Sequence, residues 1–155
     1  MAEMTYYLDC EFDGHNGPLL SIAMIPKTDD ESIYIQTRTI AKNLWAIANV
    51  IPYMDVEFAD TSIVCNIEEV GGYLRKYLQG LKGFKVISDS IVDIKYFCDA
   101  FSTDFEGNYF SNDHAQIVFE VHNVTSYPTD TPYRAWAVQH NAWWDAHALK
   151  YAMQP

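Results

Sequence analysis

Three short apolar runs near the N-terminus are separated only by turn signals, and this spacing constrains the fold more than any other feature of the chain. Thr5–Phe12 is rich in aromatic and apolar residues and stops at Asp13-Gly14 and Asn16-Gly17-Pro18. Leu19–Ile25 follows and is ended by Pro26; after a turn at Asp29-Asp30, Ser32–Thr37 alternates as a third strand. Connections this short join antiparallel neighbours, because a parallel pair needs a crossover of about a dozen residues or more. An antiparallel meander is therefore expected at the start of the chain.

The pattern then changes. Leu44–Val50 reads as a helix stopped by Pro52. Asn66 can cap a helix starting at Ile67, with Glu68 and Glu69 in the first turn, where the helix dipole favours acids. Val70, Leu74, Tyr77, Leu78 and Leu81 form its apolar stripe, and Gly80 and Gly83 end it. Phe84–Ile87 reads as a buried strand running directly into a helix over Ile91–Phe101. Asp104–His114 and Thr125–Tyr133 read as loops, Ala115–Val121 fits strand or helix, and Ala142–Met153 closes the chain as a helix. The expectation is one α/β domain over residues 1–155, a mixed sheet flanked by helices. With 49% hydrophobic and 15% aromatic residues, the chain can fill one core.

Several carboxylates interrupt the apolar pattern. Asp9 and Glu11 are two apart in a strand and point to the same face, while Leu8, Cys10 and Phe12 point to the other. Two acids side by side in an apolar strand repel each other and resist burial, unless that face is solvated. Asp93 shares a helix face with Phe97 and Ala100, a slot where a core residue is expected. It lies at the C-terminal end of the preceding strand, the edge that ligand sites in open α/β sheets favour. The plain alternative is an acid at a helix start, a role that Asp89 fits better as a cap. Asp145 has Leu149 and Ala152 at i+4 and i+7 and so borders the apolar face of the last helix, with His140 at or before its first turn. His140 alone also suits a surface or satisfied core histidine; His147 points away from Asp145. Four oxygen donors with no cysteine and at most one imidazole suit Mg²⁺ or Mn²⁺ rather than zinc. Four acids exceed the need of one ion and match two ions about 3.5–4 Å apart.

These residues resemble the three motifs of the DEDDh exonucleases: Asp9-Cys10-Glu11 on a first strand, Asp93 on a later helix, and His140-Asn141-Ala142-Trp143-Trp144-Asp145 near the end. The chain is more closely similar to small bacterial RNase AS-type exoribonucleases, through Asp9-Cys10-Glu11-Phe12, Asp13-Gly14-His15, Leu20-Ser21-Ile22 and Val92-Asp93-Ile94. The resemblance implies a ribonuclease H-like fold with a five-stranded mixed sheet, the fifth strand coming from around Ala115–Val121. It implies a 3′–5′ exoribonuclease that releases nucleoside 5′-monophosphates from single-stranded RNA. Asp9, Glu11, Asp93 and Asp145 would hold two Mg²⁺ or Mn²⁺ ions, and His140 would take the proton of the attacking water. Phe12 and His15 are the candidates for contact with the terminal base, and the resemblance favours a homodimer. One departure is Asp89: many relatives carry Asn four residues before the second-motif Asp, so Asp89 stands as an alternative ligand to Asp93.

The formal net charge of −11 counts against tight non-specific grip on long nucleic acid, though not against cleavage of a chain end. It leans, with the resemblance, toward short or single-stranded RNA over DNA. A DNA exonuclease on the same fold and a catalytically silent metal-binding or interaction module remain the alternatives. The EF-hand spacing is absent. Lys95, Arg134 and Lys150 can meet phosphates or stand as solvated charges, and at least one of Trp143 and Trp144 is expected to pack in the core. No run approaches the roughly 18 apolar residues of a membrane span. The N-terminus shows no secretory pattern, so a cytoplasmic location is expected, with Cys10, Cys65 and Cys98 as separate thiols.

Overall fold

A computed structural model describes residues 3–54, 59–105, 116–122 and 140–153. The meander forms as expected from β1 (Met4–Phe12), β2 (Leu19–Pro26) and β3 (Ile33–Thr37). β1 pairs antiparallel with β2, setting Asp9 opposite Ala23 and Glu11 opposite Ser21, and β2 pairs antiparallel with β3. Two further strands extend the sheet in parallel: β4 (Thr61–Cys65) beside β3, and β5 (Gly83–Ser88) beside β1. The ambiguous segment resolves as a strand, β6 (Gln116–Val121), parallel to β5. The sheet order is β4-β3-β2-β1-β5-β6.

The sheet thus has six strands, not the five expected. The addition is β4, an edge strand of five residues with alternating exposure, Thr61, Ile63 and the more exposed Val64 supplying its β-branched character. Alternation over so short a run, with Ser62 and Val64 facing outward, carries little hydrophobic signal.

Four helices accompany the sheet: α1 (Leu44–Asn49), α2 (Val70–Tyr77), α3 (Ile91–Phe101) and α4 (Ala142–Met153). Asn66 does open the second helical segment, in a capping box with Glu69, but its first turn, Ile67–Glu69, winds as a 3₁₀ helix before α2. The cap of α3 is Ser90, whose side chain accepts from the Val92 N–H at 3.2 Å; Asp89 does not cap it. Gly71 lets α2 close on the end of α3, since a Cβ there would stand 2.0 Å from the Ala100 carbonyl oxygen.

Strand parity sorts the core into two faces. Tyr6, Leu8 and Cys10 of β1 pack with Leu74 of α2 and with Phe97 and Phe101 of α3. Tyr7 of β1, with Ala23, Ile25, Tyr34 and Ile87, packs with Ala142, Trp144, Ala146 and Leu149 of α4. Trp143 and Trp144 are both buried, and the Trp143 indole N–H donates to Ser32 Oγ at 3.1 Å. Each fully buried aliphatic side chain such as Leu8, Ile22 or Leu149 contributes about 1.5–3 kcal/mol relative to exposure. Among the described residues no helix is long and apolar enough to cross a membrane. Thr125–Tyr133 and residues 106–114 of the expected loops lie outside the described residues.

Candidate metal centre

The odd-numbered side chains of β1 face α4, so Asp9 and Glu11 continue the row begun by Tyr7. Their cross-strand partners, Ala23 and Ser21, are small and leave room above the sheet. β5 pairs with β1 only as far as Ile87, opposite Tyr7. Beyond that point the flank of β1 is met by the start of α3, which carries Asp93 in its first turn. Asp93 is only 4% exposed. Ser88 Oγ donates to its Oδ2 at 2.9 Å, and the Cys10 backbone N–H also donates to its carboxylate. The second motif is thereby tied to the first.

The third motif is fixed by Asn141. Its Oδ1 accepts from the backbone N–H groups of Trp143 (3.0 Å) and Trp144 (3.2 Å), which caps α4, and its Nδ2 donates to the Tyr53 carbonyl at 2.6 Å. His140, just before the cap, has φ of 63°, a left-handed conformation uncommon outside glycine. Its ring meets Trp45 of α1 edge-to-face at 5.0 Å. Its backbone N–H donates to the Asp145 carboxylate, which also shares a hydrogen bond with Glu11.

Two donor groups result. Glu11, His140 and Asp145 bring one ligand atom each within 4.8 Å of one another, and Asp9, Asp89 and Asp93 do the same. The expected residues Asp9, Glu11, Asp93, His140 and Asp145 thus lie in these groups, and Asp89 joins Asp93 rather than replacing it.

So many acids in one place resist ionisation. Burial, then the charges of Asp93, Asp145, Glu11 and Asp89, push the Asp9 carboxyl well above its ordinary range. Glu11 is raised to about 9 by burial and by Asp145. Burial raises Asp93 and Asp145 each to about 7, against the hydrogen bonds that each accepts. Asp9 Oδ2 is sealed from solvent and has no hydrogen-bond partner among the described residues. A buried carboxylate oxygen in that state needs a proton or a cation. A donor set of carboxylates with one imidazole fits hard divalent ions such as Mg²⁺ or Mn²⁺. The residues present therefore fit a divalent-metal centre.

Other candidates lie outside these groups. Phe12 turns to the opposite face and stacks on Tyr96 at 4.7 Å, and His15 is exposed in the turn after β1. His147 packs against Trp143 at 4.1 Å, and burial lowers it to about 4. Lys95 pairs with Asp99 at 3.1 Å, and Lys150 donates to the carbonyls of Pro26 and Thr28. Arg134 lies outside the described residues. Sequence reasoning missed Ser88, Asn141 and Trp45. A helix-capping signal marks Asn141, directly before the apolar start of α4. Nothing local marks Trp45, whose contact with His140 spans most of the chain.

No protein-family model and no curated protein matches the chain.

Proposed function

We propose that the protein is a divalent-metal-dependent 3′–5′ exonuclease of the DEDDh kind, acting in the cytoplasm on single-stranded RNA and releasing nucleoside 5′-monophosphates. The observation that carries this reading is that three distant motifs supply two donor groups, Glu11–His140–Asp145 and Asp9–Asp89–Asp93, whose charges act on Asp9, and that Asp9 Oδ2 is buried without a hydrogen-bond partner among the described residues. A ribonuclease H-like arrangement is supported by the meander β1–β3 followed by parallel β5 and β6, with β4 as an added edge strand.

Asp9, Glu11, Asp93 and Asp145 would hold two Mg²⁺ or Mn²⁺ ions. When bound, the ions stabilise charge on the phosphate oxygens and lower the pKa of water at the site. His140 accepts the proton of the attacking water, a role that suits an imidazole beside two of the carboxylates and outside the helix ladder. Asn141 positions it by anchoring the start of α4 to Tyr53. His15, exposed in the turn after β1, is the residue left to meet the terminal base, since Phe12 stacks on Tyr96 on the opposite face. The resemblance favours a homodimer as the active form.

The test is incubation of 5′-labelled single-stranded RNA and DNA with the protein and Mg²⁺ or Mn²⁺. The expected result is a ladder shortening from the 3′ end, faster on RNA, and abolished by EDTA and by Asp9→Ala. Cleavage of DNA alone reassigns the substrate. No cleavage of either strand with both metals removes the enzymatic reading.

A further inference from the structure

We propose that Asp89 is a metal-binding residue alongside Asp93, closing with Asp9 a three-carboxylate cation site next to the Glu11–His140–Asp145 group. This inference rests on the reading of the cluster as a metal centre and adds to it a fifth carboxylate that the resemblance does not supply.

The connection between β5 and α3 accounts for the placement. Asp89 lies between Ser88, which holds Asp93, and Ser90, which caps α3. The α3 cap itself is supplied by Ser90 Oγ. Asp89 and Asp93 flank the first turn of α3 and converge on Asp9 from β1. One oxygen from each of the three lies within 4.8 Å of the others. Oxygens bound to one Mg²⁺ at about 2.1 Å stand about 3 Å apart when adjacent and about 4.2 Å apart when opposite. Closing the group on one ion therefore takes side-chain shifts of about 1 Å or less.

A second observation points the same way. Asp9 Oδ2 is sealed from solvent with no hydrogen-bond partner among the described residues, so one member of this group has an acceptor that only a proton or cation can satisfy. The charge of Asp89 also acts on Asp9, Glu11, Asp93 and Asp145 alike. Five carboxylates exceed the four positive charges of two divalent ions, which favours retention of the ions before substrate arrives. The two groups also differ in donors. The three-acid group offers carboxylate oxygens alone, which suits hard ions such as Mg²⁺, Mn²⁺ and Ca²⁺, while the other sets the His140 imidazole, the proton acceptor, beside Glu11 and Asp145.

The test is calorimetric titration of the full chain with Mn²⁺ alone, on wild type, Asp89→Asn, Asp89→Glu and Asp9→Asn, with circular dichroism to confirm that each folds. Wild type should bind two ions. Asp89→Asn should weaken one of them by about tenfold or more and spare the other, the scale of losing one charged ligand. Asp89→Glu should recover part of the loss, and Asp9→Asn should weaken both. Two ions bound by Asp89→Asn with wild-type affinity, while Asp9→Asn loses them, would overturn the role of Asp89 and leave the metal centre standing. Failure of wild type to bind Mn²⁺ at all would overturn the metal centre itself. If Asp89→Asn does not fold, Asp89→Glu decides: wild-type affinity at both sites overturns the proposal, and selective weakening at one supports it.

Discussion

In metal-free protein at about pH 8, Asp9→Asn should raise stability, although it alters a buried residue at the end of the central strand. The amide keeps the shape of the carboxyl, removes the cost of holding Asp9 against burial and its acidic neighbours, and offers an N–H where Asp9 Oδ2 now has no partner among the described residues. Its neighbours set the scale. The rise of Asp93 from 3.8 to about 7 corresponds to about 4 kcal/mol, at about 1.4 kcal/mol for each tenfold change. Burial supplies the largest share of that rise and the charges of Asp89 and Asp145 the rest; Asp9 feels Asp93, Asp145, Glu11 and Asp89 after burial, so relief by Asp9→Asn should be about 1–3 kcal/mol. For a chain of this size that is a gain of roughly 3–10 °C in melting temperature. Differential scanning calorimetry in EDTA at about pH 8 measures it. With saturating Mn²⁺ the order should invert, because wild type gains about 2.7 kcal/mol when the ion is at a hundred times its dissociation constant and the variant gains less. A variant that is less stable than wild type in EDTA would refute the reasoning, since it would mean that Asp9 is held by favourable partners rather than against repulsion.

Three further outcomes follow from the same geometry. Acids whose folded-state pKa is raised stabilise the fold below their unfolded values, and this contribution is lost as pH rises through the folded ones. In metal-free protein the stability that Asp93 and Asp145 carry should therefore fall as pH rises from about 4 through about 7, and that of Glu11 on toward about 9; a melting temperature flat from pH 5 to 9 in EDTA would contradict this. His140→Ala should cut turnover on RNA by about 10²–10⁴-fold, the usual scale for a lost general base, while thermal shift with Mn²⁺ keeps most of its size. Asn141→Ala should cost about 1–2 kcal/mol in urea unfolding, because the substitution removes the α4 cap and the tie to Tyr53; a loss within a few tenths would mean that the cap is dispensable.

Much of the site is legible in the sequence because strand parity is rigid. A period of two puts Asp9 and Glu11 on one face whatever else the chain does, and the matched apolar residues put Leu8 and Cys10 on the other. Asp93 is legible for a similar reason, as a charge in the helix position next to Phe97 on the buried side. Features that depend on distant partners are not legible. Trp45 reaches His140 because α1 and the turn after it pack against Leu20 through Ala46, Val50 and Met54, and no local pattern encodes that approach. Asp89 looks like a cap until Ser90 is seen in that place. β4 is missed because an edge strand buries little and its pairing with β3 is the main evidence for it.

The central claim is that these carboxylates form a centre for two divalent ions. Anomalous diffraction from crystals soaked in Mn²⁺ tests it most directly. Two peaks about 3.5–4 Å apart are expected, one beside Asp9 and Asp93 and the other beside Glu11 and Asp145. Saturating Mn²⁺ with no peak at Asp9 would contradict it.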